Sequence, residues 1–167
     1  SVELFPDIER EIERIINKYG EVKDTASPQL AEIRRSILSA QSSISKTLNA
    51  ILRQAQASGI VEKDASPTIR DGRLVIPVSA MNKRKIQGII HDESATGKTA
   101  FVEPTAVVEV NNRLRELENE ERREIICILV EFTNSVRPYY DAIAQSVYFL
   151  AEVDALRAKA QFSISIK

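Results

Sequence analysis

The chain has 167 residues, 43% of them hydrophobic, which is enough for one ordinary domain with a core or for an elongated piece of a larger protein. Its 23 Lys and Arg nearly balance its 24 Asp and Glu, so a net charge of −1 excludes a global field that would attract nucleic acid or an anionic membrane. No stretch approaches the roughly 20 apolar residues that span a bilayer, and no apolar run follows a basic N-terminus as in a signal peptide, so we expect a cytoplasmic chain without membrane contact.

The N-terminal third of the sequence predicts two helices. Isoleucines recur at helical spacing from Pro6 to Tyr19, and Gly20 supplies a C-terminal stop. A second helix is predicted from Ser27, which can cap it, to Gly59. Seven apolar residues of this helix share one side: Leu30, Ile33, Ile37, Ala40, Ile44, Leu48 and Ile51. They predict a narrow apolar seam along a helix of roughly 46 Å.

The middle of the sequence predicts a small antiparallel sheet. Four runs of β-type residues are predicted as strands: Thr68–Arg70, Arg73–Val78, Ile86–His91 and Thr99–Glu103. Asp71-Gly72 between the first two runs is the strongest short hairpin signal. Pro77 predicts that its strand lies at an edge or a bulge, because proline cannot donate to a ladder. We therefore expect residues 68–103 to be a β insertion between helices.

The C-terminal third returns to helical patterning. Pro104 opens a predicted helix that reaches Val136 and would be about 50 Å long. Within it, residues 118–124 contain no apolar side chain, which favours an exposed charged stretch. Arg137-Pro138 predicts a kink, after which a helical stripe continues toward Lys159. The alternation at 162–167 is typical of a strand, so we predict that a strand begins there.

The only cysteine, Cys127, lies in this third helix among isoleucines and a leucine. A single cysteine excludes a disulfide within the chain. We interpret Cys127 as a packed thiol without a reactive role.

These elements predict a mainly α fold, in which a bundle of long helices carries a small antiparallel β-hairpin insertion. Three parts follow: residues 1–67 as the first helices, 68–103 as the β module, and 104–167 as a long helix and its return. The sequence begins with Ser1 and its only methionine is Met81, and both ends are typical of interrupted helices. We expect a segment excised from a longer protein.

Gly97-Lys98-Thr99 has the ending of a phosphate-binding loop, which would indicate a nucleotide hydrolase. Such a loop needs a glycine five residues before Gly97, where this chain has Asp92, and it leads into a helix rather than a strand. We predict a β-turn with Gly97 at positive φ. No cofactor site is predicted within the chain.

His91, the only histidine, is followed by Asp92 and Glu93, which raises the question of a metal or acid–base cluster. Adjacent residues on a strand point alternately, so the three are not expected to converge on one ion. We predict a hydrogen-bonded or surface histidine and no metal site. No serine lies on a nucleophile elbow, and we predict no catalytic residue.

Local charge is the remaining functional signal. Between Thr68 and Thr99, six basic residues face three acidic ones, a net +3. The six are the candidate nucleic-acid-binding residues: Arg70, Arg73, Lys83, Arg84, Lys85 and Lys98. Basic hairpins can contact a phosphate backbone. The alternative is that these side chains only give solubility and protect strand edges.

Several spaced blocks of the sequence resemble the MutS-two subfamily of MutS proteins. Four blocks agree in order: residues 69–78, residues 88–97, Phe101-Val102-Glu103-Pro104 and residues 109–117. Asp24-Thr25-Ala26-Ser27-Pro28 and Ala151-Glu152-Val153-Asp154 also fit. The resemblance covers nearly the whole chain. It implies a fragment of the helical core and lever, with the β insertion at or near the clamp.

The resemblance also implies what the parent protein does. Its members are homodimeric ATPases that use ATP and Mg and usually carry a terminal Smr endonuclease domain, and these catalytic parts lie outside the present residues. They suppress recombination by acting on branched DNA and rescue collided ribosomes, so DNA or rRNA is the implied partner. The segment itself is implied to be non-catalytic.

Three hypotheses follow from the sequence. In the first, the chain is a lever and clamp segment whose basic hairpins contact DNA or rRNA. In the second, it is a helical scaffold whose seam at Leu30, Ile37, Ile44 and Ile51 binds another protein's helix, without nucleic acid. The third, enzymatic hypothesis requires nucleotide binding at Gly97-Lys98-Thr99.

Overall fold

A computed structural model describes residues 3–166, which form long helices and one small sheet. The helices are α1 (Pro6–Ile15), α2 (Pro28–Ala57), α3 (Thr105–Val136) and α4 (Tyr140–Ser165). The strands are β1 (Thr68–Arg70), β2 (Arg73–Ser79), β3 (Gly88–Glu93) and β4 (Thr99–Pro104). The predicted fold class, mainly α with an antiparallel β insertion, is confirmed. Among the described residues, no helix has both the length and the apolar character needed to cross a membrane.

The chain divides into two compact units. The first unit is Ser1–Pro28 with Glu124–Lys167, and the second unit is Gln29–Arg123. The sheet and its adjoining helical segments all belong to the second unit. The three-part division at residues 67 and 103 remains a prediction.

Helix α2 has the limits that its sequence predicts. It begins at Pro28, directly after Ser27. It ends before Gly59, which has a φ of +68°. The amide of Ile60 then donates to the carbonyl oxygen of Ala55 at 2.9 Å, which satisfies one of the helix's terminal carbonyls.

The predicted seam of α2 is buried within the second unit. Ile37, Ile44 and Leu48 belong to one apolar cluster with residues of α3 and of the sheet. The members from outside α2 include Val107, Leu114, Leu117, Ile76, Val78, Ala100 and Val102. Burial of this seam drives the packing of α2. The seam is therefore already covered by the chain itself.

The sheet is antiparallel, with strand order β1-β2-β4-β3. Asp71 and Gly72 have φ values of 49° and 72°, so the predicted hairpin turn is confirmed. β2 is not an edge strand, because it lies between β1 and β4. However, residues 73–75 pair with β1 and residues 76–79 with β4, so Pro77 has a paired strand on one side only. This local edge explains why proline is tolerated.

Several predicted element ends are wrong. The third strand is Gly88–Glu93 and not Ile86–His91. α1 ends at Ile15 and not at Tyr19, and Ile16 instead forms an isolated bridge with Val22. The side-chain oxygen of Asn17 accepts the amides of Tyr19 (2.9 Å) and Glu21 (3.0 Å). Asparagine can thereby stabilise a turn that competes with the helix.

At the other end, the strand predicted at residues 162–167 is also wrong. α4 follows the predicted kink at Arg137-Pro138 and continues to Ser165; Lys167 lies outside the described residues. The hydroxyls of Ser163 and Ser165 donate to carbonyl oxygens one turn earlier in the same helix. Since the described residues offer this segment no partner strand, the helix satisfies its backbone better.

The packed thiol predicted at Cys127 is a further correction. Cys127 is exposed, with Sγ 3.8 Å from Oε1 of Glu131. The negative charge of Glu131 raises the pKa of the thiol. Residue 127 therefore lies outside the buried stripe of α3, which passes through Ile128.

The position of Cys127 predicts how fast its thiol reacts. Because the thiolate is the reactive form, Glu131→Gln is expected to accelerate alkylation of Cys127 near neutral pH. The measurement is the rate of reaction with a thiol reagent as a function of pH. Glu118→Gln, an exposed change elsewhere on α3, is the control. An unchanged rate in Glu131→Gln would show that this carboxylate does not govern the thiol.

Candidate nucleic-acid interface

The six candidate cations all lie in the β module, which the sequence predicts at residues 68–103 and whose last strand ends at Pro104. The structure divides them into two groups. Arg70, Arg73 and Lys83 each pair with an acidic side chain of the module. Arg84, Lys85 and Lys98 do not. This division determines which of the six remain available to a ligand.

Arg70 is held against the sheet. Its guanidinium lies 4.0 Å from the ring centroid of Phe101, a cation–π contact, and its Nε is 3.5 Å from Oδ2 of Asp92. Its side chain nevertheless keeps 38% of its exposure. Arg70 therefore supports the sheet and remains partly accessible.

Arg73 takes part in a buried polar cluster centred on Glu103. The Glu103 side chain is 0% exposed and the Arg73 side chain 16%. Arg73 donates to Oε1 of Glu103 at 2.8 Å and to Oδ1 of Asn112 on α3 at 2.6 Å. An arginine so engaged fastens the sheet to α3.

Glu103 accepts two more hydrogen bonds. Asn111 Nδ2 donates to Oε1 at 2.6 Å, and His91 Nε2 donates to Oε2 at 2.5 Å. Burial by itself raises the pKa of Glu103, but the hydrogen bonds from Asn111, His91 and Arg73 outweigh burial and hold the pKa below its usual value. The carboxylate is therefore ionised and compensated, as a buried charge requires.

A β-bulge places His91 in this cluster. Ile90 pairs with Val102 and Asp92 with Phe101, so His91 is the extra residue on β3. Asp92 contacts Arg70 and Glu93 contacts Lys83, so the three adjacent residues have three different partners. The predictions of a hydrogen-bonded histidine and of side chains that do not converge are confirmed.

Glu103 was missed as a structural centre by sequence reasoning. A signal was present, because Glu103 follows the apolar residues Ala100-Phe101-Val102 in a strand that the sequence predicts to be buried. A charge in such a position needs partners. Its donors come from β2, β3 and α3, and no sequence spacing indicates them.

Lys83 forms an ion pair, whereas the next two residues, Arg84 and Lys85, have no such partner among the described residues. Lys83 Nζ lies 2.7 Å from Oε1 of Glu93. The side chains of Arg84, Lys85 and Lys98 are exposed, and residues 3–166 provide them with no ion-pair or hydrogen-bond partner. We call these three the free cations. They are the part of the predicted set that can reach a phosphate without breaking an internal contact.

A short 3-10 turn, Ala80–Asn82, lies next to the free cations. The amide of Ala80 donates to the carbonyl oxygen of Lys98 at 2.9 Å, and that of Lys85 to the carbonyl oxygen of Asn82 at 2.8 Å. The Asn82 side chain donates to the carbonyl oxygen of Ile60 at 3.1 Å. The turn is therefore fixed at both ends.

Gly97-Lys98-Thr99 belongs to the hairpin between β3 and β4. Gly97 has a φ of +67°, as predicted, and its amide donates to the carbonyl oxygen of Ser94 at 2.7 Å. The amide of Thr99 donates to Oγ of Ser94 at 3.1 Å. Since a phosphate loop needs such amides free, this hairpin does not have its geometry.

The exposed cations of the module are arranged in a way that suits the binding of phosphate. Three unpaired cations near a fixed turn can contact phosphate oxygens. Among the described residues, no group of three or more His, Cys, Asp or Glu could hold a metal ion. The His91–Glu103 pair is committed to the internal cluster.

Comparison with curated proteins finds similar chains along almost the full length. A protein named "Endonuclease MutS2" from Symbiobacterium thermophilum is 40% identical over 97% of this chain, and one of that name from Pelotomaculum thermopropionicum is 42% identical over 95%. A third, from Enterococcus faecalis, is 37% identical over 99%. This chain spans only about a fifth of each relative's length. No family model matches the chain.

Proposed function

Because this chain belongs to the MutS2 family and spans a fifth of its relatives' length, we propose that it is the segment through which a longer MutS2-type protein contacts nucleic acid with its β module. The sequence resemblance to this family is confirmed by relatives that match it almost end to end. The relatives' name describes an endonuclease, and we propose that activity for the parent protein and not for these residues.

The free cations are the observation that carries this proposal. Arg84, Lys85 and Lys98 remain exposed and unpaired while the module's other cations are neutralised by Asp92, Glu93 and Glu103. Exposed Lys and Arg bind phosphates by releasing condensed counterions, which requires no sequence reading. The module therefore offers a backbone contact that branched DNA or rRNA can fill.

We further propose a mechanical role for the helices. α2 and α3 have 30 and 32 residues, about 45–48 Å each at 1.5 Å per residue, and residues of both pack in one core with the sheet. As core and lever elements they would couple the β module to an ATPase of the parent protein that uses ATP and Mg. Recombination suppression or ribosome rescue by a cytoplasmic homodimer is the biological role that fits this assembly.

Charge reversal of the free cations tests the nucleic-acid contact. In the full-length protein that contains this chain, Arg84→Glu/Lys85→Glu/Lys98→Glu is expected to weaken binding about tenfold or more and to reduce the slope of log K against log salt by up to about 3. Binding of branched DNA and of an rRNA fragment is measured at several salt concentrations. Of branched DNA and rRNA, the one that the unchanged protein binds more tightly is the better candidate for the natural partner.

A matched variant separates local contact from net charge. Arg35→Glu/Lys46→Glu/Arg53→Glu introduces the same charge change on exposed positions of α2. It is expected to leave the affinity within about twofold of the starting value, since well-separated charges are screened by salt. Equal losses in the two triple variants would refute a specific contact at the β module.

A protein-interaction role is the second candidate, and α4 favours it. The scaffold hypothesis predicts that a helix of another protein binds the α2 seam. However, the chain's own residues already cover that seam. α4 instead exposes large apolar side chains on several sides, among them Tyr148, Leu156, Phe162 and Ile164. Exposed apolar surface of this kind favours a protein contact. Sedimentation of the 167-residue chain tests self-association, and a strictly monomeric chain would argue against a scaffold that dimerises by itself.

A further inference from the structure

We propose that Met81 is an apolar wedge that inserts at an opened base step of the bound nucleic acid, so that the β module prefers branched or kinked substrates to continuous duplex. This inference rests on the proposed nucleic-acid contact and extends it. It adds a residue outside the predicted cation set and a physical basis for the branched substrates that the family resemblance implies.

Met81 is the most exposed large apolar side chain among residues 3–166, at 92% of its full accessibility. It is the central residue of the turn Ala80–Asn82. The two sides of this turn are fixed to separate parts of the second unit by the hydrogen bonds to Lys98 and Ile60. A fixed turn presents its central side chain with little loss of backbone freedom on binding.

The positive charges near Met81 favour nucleic acid as its target. The free cations Arg84 and Lys85 follow it by three and four residues, and Lys98 is joined to the preceding residue through the Ala80–Lys98 hydrogen bond. Cations close to an apolar tip can contact the phosphates that flank an opened base step. Met81 and Lys98 also line a groove of about 850 Å³, together with Glu62 and Asp64. The two carboxylates make the floor of this groove poorly suited to a phosphate chain, so the contact is assigned to the exposed turn.

The chemistry of a wedge explains why the substrate should be branched. Proteins that kink duplexes insert side chains such as Met, Leu or Ile between base pairs, at a cost of about a few kcal/mol for unstacking. That cost is smallest where bases are already unpaired or unstacked. Methionine is unbranched and polarizable, which allows it to fill an irregular gap between bases. DNA and RNA branch points share this opened step.

The test measures unstacking directly. The full-length protein is titrated into a four-way DNA junction that carries 2-aminopurine at the branch point, into an RNA junction of the same design, and into linear DNA duplex. Unstacking of 2-aminopurine increases its fluorescence. Met81→Ala is expected to remove this increase and to lower junction affinity about tenfold, while duplex affinity changes less than about twofold.

Two variants serve as controls. Met81→Leu retains an apolar side chain and is expected to preserve most of the fluorescence change. Leu38→Ala removes an exposed apolar side chain from α2 and is expected to change neither affinity nor fluorescence. Both positions are exposed, so neither alanine variant is expected to unfold the chain.

The outcomes distinguish this inference from the proposed function. If Met81→Ala keeps the junction affinity and fluorescence of the unchanged protein while the triple variant of the free cations loses affinity, the wedge is refuted and the nucleic-acid contact stands. If the triple variant also binds both substrates normally, both proposals are refuted. A fluorescence increase on one of the two junctions alone identifies the nucleic acid that the wedge opens.

Discussion

Glu103→Ala is expected to lower the free energy of unfolding by about 3–5 kcal/mol, because removing one partner of a buried ion pair leaves uncompensated charge. The substitution would deprive Arg73 and Asn111 of their carboxylate while both remain largely buried. The measurement is urea denaturation of the 167-residue chain followed by circular dichroism. Asn112 is the remaining partner of Arg73 and cannot neutralise it.

Two comparisons make this prediction specific. Glu109→Ala removes an exposed carboxylate nearby on α3 and is expected to change stability by less than about 0.5 kcal/mol. The double variant Glu103→Ala/Arg73→Ala is expected to be less unstable than the sum of its single variants, since coupled groups are not additive. A Glu103→Ala chain as stable as the Glu109→Ala chain would contradict the central role of this carboxylate.

Acidification is expected to weaken the same cluster. The pKa of Glu103 is lower in the folded chain than its usual 4.5, because its hydrogen bonds outweigh the opposing effect of burial. Such a group contributes stability above the unfolded pKa and loses it as the pH falls through the folded pKa. Stability should therefore fall below about pH 4.5, and it should fall less steeply in Glu103→Gln, which has no carboxylate to protonate.

Gly88→Ala is expected to destabilise the chain by about 3 kcal/mol, the upper end of the usual range for overpacking. A Cβ at Gly88 would lie 2.2 Å from the carbonyl oxygen and 2.8 Å from the carbonyl carbon of Glu103. These are backbone atoms of the paired strand β4, so they cannot move aside as a flexible side chain would. Urea denaturation again measures the effect.

Gly97→Ala separates this clash from an ordinary loss of glycine. A Cβ at Gly97 would meet no atom within 4 Å, but the residue has a φ of +67°. The expected cost is the strain of the left-handed conformation, about 1–2 kcal/mol. If Gly88→Ala were no more destabilising than Gly97→Ala, the close approach of β3 to β4 at this point would not be a constraint on the sequence.

Local signals in the sequence are sufficient for most of the elements. Asp71-Gly72 predicts its hairpin because both residues adopt positive φ at low cost, and Ser27-Pro28 predicts the start of α2 because capping depends on neighbouring residues. The apolar seam of α2 predicts which face is buried. The sequence also contains enough of the family's spaced blocks to identify MutS2 relatives.

The tertiary structure alone decided which charges are free. In the sequence Arg70, Arg73 and Lys83 are as basic as Arg84, Lys85 and Lys98, but strand pairing places Asp92, Glu103 and Glu93 beside the first three. Tertiary structure also decides the exposure of Cys127. Its apolar neighbours in sequence predict burial, but the residue lies on an exposed face of α3. Secondary structure follows from contacts between neighbours in sequence, whereas neutralisation and burial depend on residues that only the fold brings together.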